Sequence, residues 1–106
     1  AGTITATIAP YNTVLPAITG TLTVGQTLTT TNGTWAGNAT ITFARQWQRG
    51  AVADHNDPSW TNITSATNLT YVLQSADLAK RIRCIVTATN SEGATVALSN
   101  IVGPVA

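Results

Sequence analysis

A chain of 106 residues with 43% apolar but only 8% charged residues is the size of one domain that can close a core without staples. Its net charge of +1 argues against a nucleic-acid footprint, which needs clustered Lys and Arg on one face, and no stretch nears the ~20 apolar residues that a membrane-spanning helix requires. The single cysteine excludes a disulfide framework within the chain and is consistent with folding in a reducing cytoplasm.

Threonine makes up about a fifth of the residues. With Val and Ile it makes the chain rich in β-branched side chains, which lose rotamer freedom in helices and fit a pleated, half-buried surface. The composition therefore predicts an all-β fold. "AGTITATIAP" has no basic start and its apolar residues alternate, so it does not read as a signal peptide. "TITATI", residues 3–8, reads as a short strand or an extended arm. Pro10 and Pro16 bracket "YNTVL" and disfavour pairing within a central strand, so residues 1–16 are expected as an arm or edge segment and 17–106 as the compact domain.

"ITGTLTVGQTLTTTNGTW" carries Leu22, Val24 and Leu28 between turn signals at Gly20, Gly25 and Asn32-Gly33. In "ITFARQWQRG", Ile41, Phe43, Arg45 and Trp47 share one face and are expected inside, against Thr42, Ala44, Gln46 and Gln48 outside. Residues 51–68 are polar and irregular and form the expected long loop. "LTYVL" points Leu69, Tyr71 and Leu73 inward, and "QSADLAKR" makes a tight corner or a single helical turn. "IRCIVTAT" sets Ile82, Cys84, Val86 and Ala88 against Arg83, Ile85 and Thr87, "NSEG" is a hairpin signal, and "ATVALSNIV" closes the domain. Seven or so short strands with turn signals at about 8- to 12-residue spacing are the sequence pattern of a β-sandwich.

From Pro16 onward, the order "GTW", "QWQRG", "LTYVLQSADLAKRIRCIVTATNSEG" and "ALSN" resembles a bacterial and bacteriophage immunoglobulin-like domain family, found in phage virions and bacterial surface proteins. The resemblance implies an antiparallel β-sandwich of about seven strands, with Trp47 as its buried tryptophan and Asp77 starting the turn into the strand of Cys84. Two departures stand out. Gly50 and Ala51 follow the W-Q-R run, where members often carry a second Cys, and Ile82 stands where an antibody-type domain has its corner tyrosine. Cys84 is then a small buried hydrophobe near Trp47, and Trp47, Tyr71, Ile82, Cys84 and Val86 form the expected core.

For chemistry the sequence offers little. Asp54, His55, Asn56 and Asp57 are ligand types for Ca²⁺ or Zn²⁺, but the calcium-loop pattern is not met and a zinc site would need ligands from elsewhere. The cluster reads as a solvated loop whose Asp and Asn supply turn geometry. No nucleophile elbow, phosphate loop or H-E-x-x-H is present, so neither enzymatic activity nor a cofactor is expected. Trp35 and Trp60 lie at loop edges, where each either caps one end of the core or anchors a partner or a sugar ring.

What the resemblance implies for function is a non-enzymatic virion protein that decorates a phage capsid. It would be made in the bacterial cytoplasm and held to the major capsid protein or another virion protein, with copies able to associate. Ile4, Ile8, Tyr11 and Val14 of the arm, with Trp35 and Trp60, are the expected partner-binding residues. The alternative is a repeat or spacer of a bacterial surface adhesin, with a host-surface glycan as ligand.

Overall fold

The computed structural model describes residues 8–37 and 40–106; Ile4 and most of "TITATI" lie outside them. The chain is all-β. It runs through β1 (Tyr11–Val14), β2 (Ile18–Thr19), β3 (Thr27–Thr30), β4 (Thr34–Ala36), β5 (Thr42–Gly50), β6 (Thr61–Asn62), β7 (Thr70–Val72), one 3-10 turn (Ser75–Asp77), β8 (Arg81–Asn90) and β9 (Gly93–Leu98). Three antiparallel sheets result, in the orders β2-β3-β7, β6-β5-β8-β9 and β1-β4.

The first two sheets face one another. Period-two alternation turns Ile18, Leu28 and Tyr71 of one sheet toward Trp47, Ile82, Cys84 and Val86 of the other, and Ile63, Leu73 and Val105 complete the buried cluster. Trp47 is fully buried and stacks on Tyr71 across the layers, with ring centroids 5.5 Å apart, while its indole N–H donates to Asn68 O at 2.7 Å. Register places Cys84 directly opposite Trp47.

The layers are also tied by polar groups. Ile18 N donates to Asn100 Oδ1 at 2.7 Å, so a side-chain amide just past β9 binds the backbone of β2 in the other layer. Buried Ser99 holds the same region, accepting Cys84 N at 2.8 Å through Oγ and donating its own N–H to Cys84 O. The last residues then close one end: Val102 pairs with Ile82, Val105 bridges Leu78, and Ala106 exchanges hydrogen bonds with Leu22 and Val24.

Three expectations about burial are corrected. The inward face of β5 is buried only at Trp47, because β3 and β7 are short and do not cover its start; Phe43 is 37% exposed and Arg45 half-buried. Leu69, expected inward, lies just before β7 and is exposed. The outer face of β5 is partly covered instead: Gln48 is buried beneath the 51–60 loop.

Candidate functional site

Gly50, the last residue of β5, faces the ring of Trp60 without a side chain between them; a Cβ at Gly50 would approach that ring to 2.7 Å. Trp60 therefore lies on the outer face of the four-stranded sheet, and Arg83, two residues along β8 on the same face, places its guanidinium carbon 4.3 Å from the ring centroid. Three of the five N–H groups of that guanidinium have partners. Its Nε donates to Gln48 Oε1 at 2.8 Å, and its Nη1 donates to His55 Nδ1 at 2.9 Å and to His55 O at 3.1 Å. Gln48 in turn donates to Asn62 Oδ1, and Trp60 Nε1 donates to Asp54 O.

Asp54, His55 and Asp57 shape this loop. Asp54 Oδ1 accepts Asn56 N, and Asp57 Oδ2 accepts Ser59 N at 2.9 Å; the Ser59 hydroxyl and then its backbone N–H hold the Asp57 carboxyl below its ordinary pKa. Burial and then the Arg83 charge lower the pKa of His55, with Asp54 opposing them, and burial lowers that of Arg83. No group of three or more His, Cys, Asp or Glu side chains that could hold a metal ion occurs among the described residues. Asp54 and Asp57 each commit one carboxylate oxygen to turn geometry.

Asp77 is a second polar centre, and it is fully buried. Its carboxylate accepts Arg49 Nε at 2.7 Å, the Tyr71 hydroxyl at 2.5 Å and Gln74 N at 2.8 Å. Burial, then the bond to Asp77, raises the pKa of the Tyr71 phenol, so it remains a donor. All the contacts join parts of the fold: β5, β7 and the 3-10 turn. The centre is a structural rivet rather than a reactive site. Cys84 is similarly inert, since burial pushes its thiol up to about 11 and the nucleophilic thiolate is scarce at neutral pH.

The expected partner-binding residues separate into two places. Trp60 sits at the end of β5, whereas Trp35 packs on Phe43 near its start, with centroids 6.4 Å apart, and donates to Asn32 O. Phe43 and Gly50 are seven residues apart on β5, about 23 Å at ~3.3 Å per residue, so the two tryptophans cannot share one sugar platform. Trp35, partly buried, packs against the core cluster, as a cap would, whereas Trp60 lies on the outer face of the sheet.

Ile8, Tyr11 and Val14 lie at or in the β1-β4 ribbon. Tyr11 pairs with Ala36 and Val14 with Thr34, so both side chains share the face opposite Trp35 and Asn12. Ile8, Tyr11, Val14 and neighbouring Leu15 are 51%, 53%, 58% and 63% exposed. The ribbon is fastened underneath: Asn12 Nδ2 donates to Val14 O and Thr34 O, and Asn90 Nδ2 donates to Ile8 O at 2.7 Å.

Charge is distributed unevenly around these features. Residues 1–44 and 93–106 contain no Asp, Glu, Lys, Arg or His. The β5-β8 register gathers Arg49, Arg81 and Arg83 near Gly50, beside Asp77 and the 54–60 loop. Toward the ribbon end the charged groups are Glu92, in the β8-β9 turn, and half-buried Arg45, which donates to Asn32 Oδ1 while its Nε has no partner among the described residues. No protein-family model matches the chain, and no curated protein matches it.

Proposed function

We propose that this chain is a non-enzymatic structural protein of a phage virion, an immunoglobulin-like decoration module that attaches through its nearly charge-free end to the major capsid protein or another virion protein. The observation that carries the attachment is the exposed apolar row Ile8, Tyr11, Val14 and Leu15 on and beside a ribbon that lacks charge. Sheet edges are ordinarily protected by Lys or other charges, and interface cores are depleted of charge and enriched in aromatic residues. This end follows the interface pattern. The charged groups near it are Glu92 and the half-buried Arg45, which is tied to Asn32.

The strand orders β2-β3-β7 and β6-β5-β8-β9 support the immunoglobulin-like reading, as an A-B-E layer against a C′-C-F-G layer without strand D. The phage setting rests on the resemblance in the W-Q-R and I-R-C-x-V-T-A-T-N strands. Asp77 and Cys84, the ionisable groups deepest in the fold, are committed to structure, which favours a binding role over a catalytic one.

Counting this chain in purified particles by quantitative mass spectrometry tests the reading. Many copies per particle, lost when Val14 and Leu15 are both changed to Lys while the purified variant stays folded, are the expected result. Absence from particles, or unchanged occupancy of the double variant, overturns it. Attachment through a neutral surface should also be nearly insensitive to added salt.

A further inference from the structure

A guanidinium has only hydrogens to offer, so the Arg83 Nη1 to His55 Nδ1 hydrogen bond requires a lone pair on Nδ1. His55 in this geometry is therefore the neutral Nε2–H tautomer. The other Nη1 hydrogen is spent on the His55 carbonyl, so one nitrogen of β8 grips both the side chain and the backbone of the loop. Arg83 is 8% exposed and keeps its charge at any physiological pH. A proton arriving from solvent on Nδ1 would remove the acceptor and set two cations about 3 Å apart.

We infer that His55 is a proton-operated latch: neutral, it fastens the 54–60 loop to Arg83, and protonated at Nδ1 it releases the loop from the sheet and uncovers Trp60. This lies at the charged end of the molecule and is independent of the attachment reading. The groups around the latch are few. Arg83 comes from β8, as does Arg81, which donates to Gly103 O; Asp54 and Asp57 come from the loop itself, and Asp57 accepts from Ser59; β5 and β6 contribute the neutral amides of Gln48 and Asn62. The His55 ring also lies 6.5 Å from Trp60, on the second support of the loop. Because the docked state depresses the His55 pKa, docking is strongest above the unfolded value of about 6.5 and is lost as pH falls through the lower folded value.

The test is an NMR titration from about pH 8 to about pH 4.5, spanning the range in which an imidazole changes charge. It follows the His55 ring, the Arg83 Nε–H and the Trp60 indole N–H, with the Trp47 indole as the reporter of an intact core. The expected result is one shared midpoint below 6.5 for the first three while Trp47 stays still. His55→Gln keeps an acceptor for Arg83 but cannot titrate, and should flatten the Arg83 and Trp60 curves. Asp54→Asn should lower the midpoint further, because Asp54 favours the cation. A His55 curve that Trp60 and Arg83 do not follow, or the same transition persisting in His55→Gln, overturns the latch.

Discussion

Gly50 and Trp60 are in contact as backbone against ring, and the fit leaves no room for a methyl group. Real Cβ atoms do not sit 2.7 Å from ring carbons, so either the indole or the strand must move in Gly50→Ala. The substitution should cost about 1–3 kcal/mol, as overpacking does. Urea denaturation gives that loss, and the Trp60 indole N–H should lose exchange protection as it leaves Asp54 O, whereas the Trp47 indole keeps its own.

Asp77 should be the most costly polar residue to remove. Asp77→Ala strands Arg49, the Tyr71 hydroxyl and Gln74 N together, and breaking a buried ion pair from one side costs about 3–5 kcal/mol. Tyr71→Phe takes away one hydrogen bond and should cost about 1 kcal/mol. The double variant should fall short of the sum, and chemical denaturation of all three measures the coupling.

Cys84 should be silent toward thiol reagents while the protein is folded. With the thiol pushed up to about 11 and no exposed surface, alkylation at pH 8 should proceed only through opening of the sandwich. Labelling rates should therefore rise in step with urea. A rate near that of a free thiol in native buffer would show that the region between β5 and β9 is open.

Gly33 sets the position of the ribbon. Its φ of +79° is a conformation that L side chains rarely adopt, and a Cβ there would collide with Val14 O. Gly33→Ala should displace β1 from β4 and cost at least about 1 kcal/mol. If the ribbon is the attachment surface, occupancy on particles should fall by more than global stability does.

Period-two alternation made β5 and β8 readable, because both are long and one face of each is buried at its centre. It misjudged Phe43 and Leu69 because alternation says which face a residue takes, not how far the opposite sheet extends to cover it. The apolar row was readable as a candidate in Ile8, Tyr11 and Val14, but its pairing with Thr34–Ala36 depends on contacts 20 to 25 residues away that no local pattern encodes. The clamp on Arg83 was missed altogether. Its signals were present as a glycine ending a strand, the usual mark of a close approach, and as a tryptophan ten residues later. The absence of charge from 1–44 was plain in the sequence and acquires meaning only when β1 pairs with β4 into one ribbon, whereas the equally uncharged 102–106 pack against Lys80 and Arg81 at the other end.

The hydrogen bond from Ile18 to Asn100 sets a mechanical path. A pull applied to β1 travels through Pro16 into Ala17, held by Thr31 beside β3, and then into Ile18, from which Asn100 passes it to the four-stranded sheet. Load is thus shared by both layers within two residues of Pro16, rather than resting on the two paired residues of β2 and β3 alone. A module tethered by its ribbon end would resist tension as a whole, and Asn100 would set the force at which its layers begin to part.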